Sequence, residues 1–136
     1  MLARSGTGPT NNDVRAALER VIASGGLRNS PQLIAFLRFV VEATLRGDGH
    51  LIKAYTIAVE ALGRGKDFDP SIDPIVRVEA GRLRRALERY YAGAGADESP
   101  LIHIPIGRYV PEFQLRQTHA SKRSGSVTEL FRNWRN

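Results

Sequence analysis

Asp73-Pro74-Ile75-Val76-Arg77-Val78-Glu79-Ala80-Gly81-Arg82-Leu83-Arg84-Arg85-Ala86-Leu87-Glu88-Arg89-Tyr90-Tyr91-Ala92 reads as one long helix with two unlike faces. Asp73 suits the N-cap, because its carboxylate accepts the free first-turn N–H groups. Pro74 suits the first helical position, where a missing N–H costs nothing, and Gly93 suits a left-handed stop at the other end. At ~100° per residue, Val76, Ala80, Leu83, Leu87 and Tyr90 share one side and form a core stripe. The opposite arc carries Arg77, Val78, Arg82, Arg84, Arg85 and Arg89, with Gly81 among them. Arginine is the residue expected against phosphates or guanine edges, since its planar fork binds bidentately, and Val78 could meet a thymine methyl group. Gly81 permits close approach to the backbone, at a helical cost of about 1 kcal/mol relative to Ala. The same arc also reads as a solvated face on which Asp73, Glu79 and Glu88 partly neutralise the arginines.

Upstream, Asn12 caps a predicted helix from Asp13 to about Ser24, with Val14, Leu18, Val21 and Ile22 on its apolar side. Ser30-Pro31 opens a second, running to about Arg46. Leu33, Ile34, Phe36, Leu37, Phe39, Val40, Val41 and Leu45 make it apolar nearly all round, which marks a buried centre. Leu51 to Leu62 reads as a shorter helix, with Leu51, Tyr55, Ala58, Val59 and Leu62 inward and Lys53, Thr56 and Glu60 outward. A turn-rich loop leads from Arg64 into the long helix.

Downstream, Leu101 to Pro105 is β-branched and alternating, Ile106 to Arg108 is a tight turn, and Tyr109 to Phe113 is a returning strand that Pro111 shortens. The tail from Gln117 to Ser126 is a polar linker. Beyond it Val127, Leu130, Phe131 and Trp134 recur at helical spacing. The organisation expected is a loose start with an extra helix over 1–29, the main domain over 30–116, and a basic linker with a short amphipathic helix over 117–136.

The 136 residues carry a net charge of +6, with an isoelectric point near 10.3. Such a balance favours an anionic partner, nucleic acid before a membrane surface. The chain has no cysteine, which excludes disulfides and thiolate metal sites and suggests a reducing, cytoplasmic setting. No segment has the length of a signal peptide's apolar region or of a membrane span. His50, His103 and His119 fall on separate elements, so no metal site is expected. Asp67, Asp69 and Asp73 lack the glycine and glutamate of a calcium loop and read as capping and turn residues. Gly93-Ala94-Gly95 has no strand before it, and no phosphate loop, catalytic triad or paired-carboxylate motif is present. Neither an enzyme, a cofactor nor a small-molecule substrate is expected.

The order helix, helix, longer basic helix, hairpin is the winged helix-turn-helix plan. From Leu33 to Phe113 the chain resembles the DNA-binding output domains of OmpR/PhoB-type response regulators. Their Val-x-Val-x-x-x-Arg-Leu-Arg-Arg-x-Leu recognition helix is matched by Val76 to Leu87. The hairpin departs from that family, with Pro105-Ile106-Gly107-Arg108-Tyr109 in place of its Arg-Gly-x-Gly-Tyr run, and no four-stranded sheet precedes the helices. Over Ser30 to Phe113 the chain more closely resembles a module at the N-terminus of many proteobacterial proteins, where it often precedes membrane-anchored regions, TPR repeats or adenylate cyclase domains. The segments that carry this likeness are Lys53 to Glu60, Asp67 to Pro70, Asp73 to Leu87 and Gly107 to Pro111.

The resemblance implies a mainly α-helical fold with a small β-hairpin wing, binding double-stranded DNA as a small bacterial transcriptional regulator. The long helix would enter the major groove with Arg77, Val78, Arg82, Arg84, Arg85 and Arg89. Lys53 and Thr56 would meet phosphates, and Arg108 at the wing tip would reach the minor groove. A homodimer or tandem binding would fit the family. The competing expectation is a non-enzymatic protein-interaction module that keeps the fold without binding DNA. Leu130, Phe131 and Trp134 are expected to dock on the domain or a second copy, in preference to lying on a membrane surface with Arg132 and Arg135.

Overall fold

The computed structural model describes residues 8–116, so the tail residues Leu130, Phe131 and Trp134 lie outside the described residues. Four helices, α1 (Asn11–Ile22), α2 (Pro31–Leu45), α3 (Ala54–Glu60) and α4 (Ile75–Ala92), precede a two-stranded antiparallel sheet of β1 (Leu101–His103) and β2 (Glu112–Gln114).

Helix α2 is the hub. It packs against α1, α3 and α4, and Phe36, Leu37, Val40 and Val41 are completely buried. Leu33 and Ala43 are buried with them, and Ile34, Phe39 and Leu45 are half-buried against the same core. Burial on most sides follows from a wide apolar arc, and the narrow remaining face carries Arg38 and Glu42, which pair with Glu19 and Arg15 of α1. Helix α1 lies on α2 and β1, burying Val14, Ala17, Leu18, Val21 and Ile22. The start of α1 differs from expectation. Thr10 caps it in place of Asn12: its hydroxyl accepts the Asp13 N–H at 3.0 Å, and the Asp13 carboxylate accepts the Thr10 N–H at 3.3 Å. The reciprocal pair satisfies two of the orphan donors of the first turn. Ser30, expected to cap α2, makes no side-chain capping bond.

The helix expected over 51–62 is shorter and broken. Gly49–Leu51 form a 3-10 turn, Ile52 is extended, and α3 covers only Ala54–Glu60. The change in winding turns Leu51 and Tyr55 outward, 51% and 41% exposed, and turns Ile52 and Ile57 into the core. Gly63 ends the element with a φ of 75°, a backbone conformation open to glycine without strain.

Helix α4 buries Val76, Ala80, Leu83 and Leu87 as expected, together with Glu79, Ala86 and Tyr91. Tyr91, not Tyr90, completes the core stripe. Its hydroxyl accepts the Ile102 N–H at 2.9 Å, inside the core. Helix α4 begins one residue later than expected, with Pro74 and not Asp73 at the N-cap position, and Asp73 Oδ1 accepts the Ile75 N–H at 3.1 Å from just before it. The end is not left-handed, since Gly93 has φ −131°. The N–H groups of Gly93 and Gly95 both donate to the Tyr90 carbonyl. The Tyr90 ring covers Gly95 so closely that a Cβ there would overlap it.

In the sheet, Leu101 pairs with Gln114, Ile102 with Phe113 and His103 with Glu112. The return strand therefore begins after Pro111, not at Tyr109. Proline lacks the N–H that a ladder needs, and residues 104–111 form a long connecting loop. Within it, Arg108 N–H donates to the Pro105 carbonyl at 3.2 Å, and Gly107 has φ 88°. Among the described residues no helix is long and apolar enough to cross a membrane.

Candidate nucleic-acid interface

The 18 residues of α4 span about 27 Å at 1.5 Å per residue. Its inner face is fixed on α2 and α3. Val78, Arg82, Arg85 and Arg89 follow one another at intervals of four, three and four residues, so they form one straight outward stripe. Val78 is 50% exposed, and the three arginines are exposed. Arg82 pairs loosely with Glu79, whose carboxylate is nearly buried, at 3.7 Å. Arg77 is also exposed, on the flank of the stripe. The helix thus carries five arginines against two glutamates.

Arg84 departs from the expected set. Its Nε donates to the Ile104 carbonyl at 3.0 Å, and its Nη2 donates to the carbonyls of Pro105 at 3.0 Å and Arg108 at 2.9 Å. It therefore clamps the hairpin loop onto α4 instead of facing outward with Arg85. Burial is the main influence on its guanidinium and lowers its pKa, although an arginine remains charged at any ordinary pH. The missed signal was angular. Arg84 lies about 20° from Tyr91 on the wheel, at the margin of the buried face.

The clamp sets the loop beside the outward stripe. Arg108 at its turn is exposed and pairs with Glu112 at 3.0 Å. Ile106, which no motif singled out, is 61% exposed next to it. Beneath the loop, His103 is buried. Desolvation, then the charges of Arg84 and Arg108, pull its pKa down to about 4, so the imidazole is neutral at pH 7.

At the other end of α4, Asp73 is held ionised, its pKa lowered first by the hydrogen bond from Arg64 Nε at 2.9 Å. Asp69 is likewise lowered by its bonds from Ser71. These acidic groups serve turns and caps, and no cluster able to hold a metal ion occurs among the described residues.

Lys53 is exposed just before α3. Thr56, expected at a phosphate, is engaged locally. Its Oγ1 accepts the Lys53 N–H at 2.9 Å and lies 2.8 Å from the Leu51 carbonyl, to which it can donate. Its hydroxyl thus satisfies the backbone at the start of the helix. Tyr55 projects outward and donates to the Lys66 carbonyl at 2.9 Å, tying α3 to the loop before α4.

Comparison of the chain with family models, with curated proteins and with solved structures finds no match.

Proposed function

We propose that this domain is a winged helix-turn-helix that binds double-stranded DNA, with α4 in the major groove and the 104–111 loop as the wing. The observation that carries the reading is the stripe of Val78, Arg82, Arg85 and Arg89 on the open face of a long helix, with an arginine-tipped loop clamped alongside. A stripe of this kind matches the chemistry of a groove lined by phosphates and base edges, with guanidinium forks for guanine and an isopropyl group for a thymine methyl. Lys53 would add a phosphate contact from α3, and Arg108 one from the wing. Arg84 acts in this reading as a positioning residue, holding the wing at a fixed offset from the helix. The role is that of a non-enzymatic transcriptional regulator acting in the cytoplasm, alone or as paired copies.

Fluorescence anisotropy across a salt series tests the proposal, using random duplex and fragments selected by the protein from a random pool. The expected result is tight binding to selected fragments that falls steeply with salt and is lost in Arg85→Ala/Arg89→Ala. Equal, weak binding to all duplexes, unchanged in that variant, would sink the proposal and leave the protein-interaction reading in its place.

A further inference from the structure

We propose that the recess between α4 and the hairpin loop binds a small monocarboxylate whose apolar body is about the size of one aromatic ring. The recess holds about 250 Å³. A dry cavity of about 150 Å³ accommodates benzene, so the space takes one ring with a short polar extension. Leu87, Ile104 and Ile106 supply apolar walls. Gly81 opens the helix side. A Cβ at this position would touch only Arg85 Nη1, at 3.6 Å, so the absence of a side chain there widens the recess and no backbone constraint demands it.

The polar groups set the charge of the occupant. Arg85 stands at the recess and Arg84 behind it, while Glu88 is the one acidic residue lining it. Two guanidinium groups against one carboxylate leave room for a single negative charge, and Glu88 disfavours a second. His103, neutral at pH 7, adds a polar wall without a charge. The site stands on this geometry alone. Under the DNA reading it also has a consequence, because Arg85 would be shared between ligand and duplex, and each would weaken the other by the same factor.

The test is NMR titration of the full chain, without DNA, using benzoate as the probe and neutral benzamide as its isosteric control. Saturable benzoate binding, with amide shifts centred on Gly81, Arg85, Ile104 and Ile106, is the expected result. Benzamide should bind at least about tenfold more weakly, a difference of about 1.4 kcal/mol. Gly81→Leu should fill the recess and weaken benzoate at least about tenfold. Arg85→Gln should erase the preference for benzoate over benzamide, and it serves as the second variant if Gly81→Leu fails to fold. No saturable shift at low millimolar benzoate, shifts centred elsewhere, or equal binding of both probes would overturn the proposal. Because DNA is absent from the titration, this failure is separate from failure of the DNA-binding reading.

Discussion

Arg84 and Arg85 are adjacent and chemically identical, yet Arg84 is engaged by the carbonyls of the hairpin loop while Arg85 stays exposed. The sequence pattern treats both as members of one basic face, because residue type alone does not reveal which guanidinium will find three backbone carbonyls. The wheel places Arg84 at the margin of the buried face, but it is the irregular path of the loop after β1 that brings the carbonyls to it. The consequence is testable. Lysine keeps the charge but has one compact ammonium in place of a fork, so Arg84→Lys should destabilise the domain by about 1–3 kcal/mol in urea unfolding. It should also speed hydrogen exchange of the amides around residues 104–108. An unchanged midpoint and unchanged exchange would show that the three bonds contribute nothing. His103 gives a second prediction at this scale. Its folded-state pKa, near 4, lies below the unfolded value of about 6.5. The unfolded chain therefore takes up the proton first, and stability is complete above about pH 6.5 and falls as pH drops toward 4. Asp69 and Asp73, whose pKa values are lowered, remain ionised across that window. Urea midpoints at pH 7 and pH 5 should differ in the wild type, and the difference should shrink in His103→Gln.

Long elements were legible and short ones were not. Helices α2 and α4 each repeat their apolar pattern over four or more turns, so one ambiguous residue cannot displace the face. Even so, Tyr91 replaces Tyr90, because packing against the hairpin draws in the margin of the face that it shares with Arg84, and Glu79 is buried on the opposite margin. Helix α3 has seven residues, too few for periodicity to fix its phase. The preceding 3-10 turn advances about 120° per residue instead of 100°, which rotates Leu51 out and Ile52 in. The return strand failed differently. Tyr109 and Val110 have β character, but Pro111 blocks the ladder, so pairing waits until Glu112. The arginine stripe itself was readable from spacing. Under the DNA reading, Arg85→Ala and Arg89→Ala should each reduce the slope of log K against log salt by about 1 if the side chain meets a phosphate. A base-reading arginine should instead relax preference at one position of the selected site, and salt titrations on matched and mismatched duplexes separate the two.

Residues from Val14 to Ile104 form one continuous core, and α1 is as deep in it as the helices that follow. Leu18 is completely buried, so Leu18→Ala should cost about 2–5 kcal/mol. Its unfolding should remain a single transition with coincident far-UV and tyrosine signals, as one cooperative core requires. Two separate transitions would mean that α1 folds apart from the rest. The far side of that core is electrically quiet. Arg15 pairs with Glu42, Arg38 with Glu19 and Arg20 with Glu98, whereas the excess arginines gather on α4, whose inner face is turned toward α2. Within residues 8–116, α4 is therefore the more positive side of the core. A polyanion exerts a torque on such a body at separations up to about a Debye length, ~8 Å at physiological ionic strength. Under the DNA reading, this charge would favour presenting α4 before any side chain touched the polymer, which shortens the rotational search.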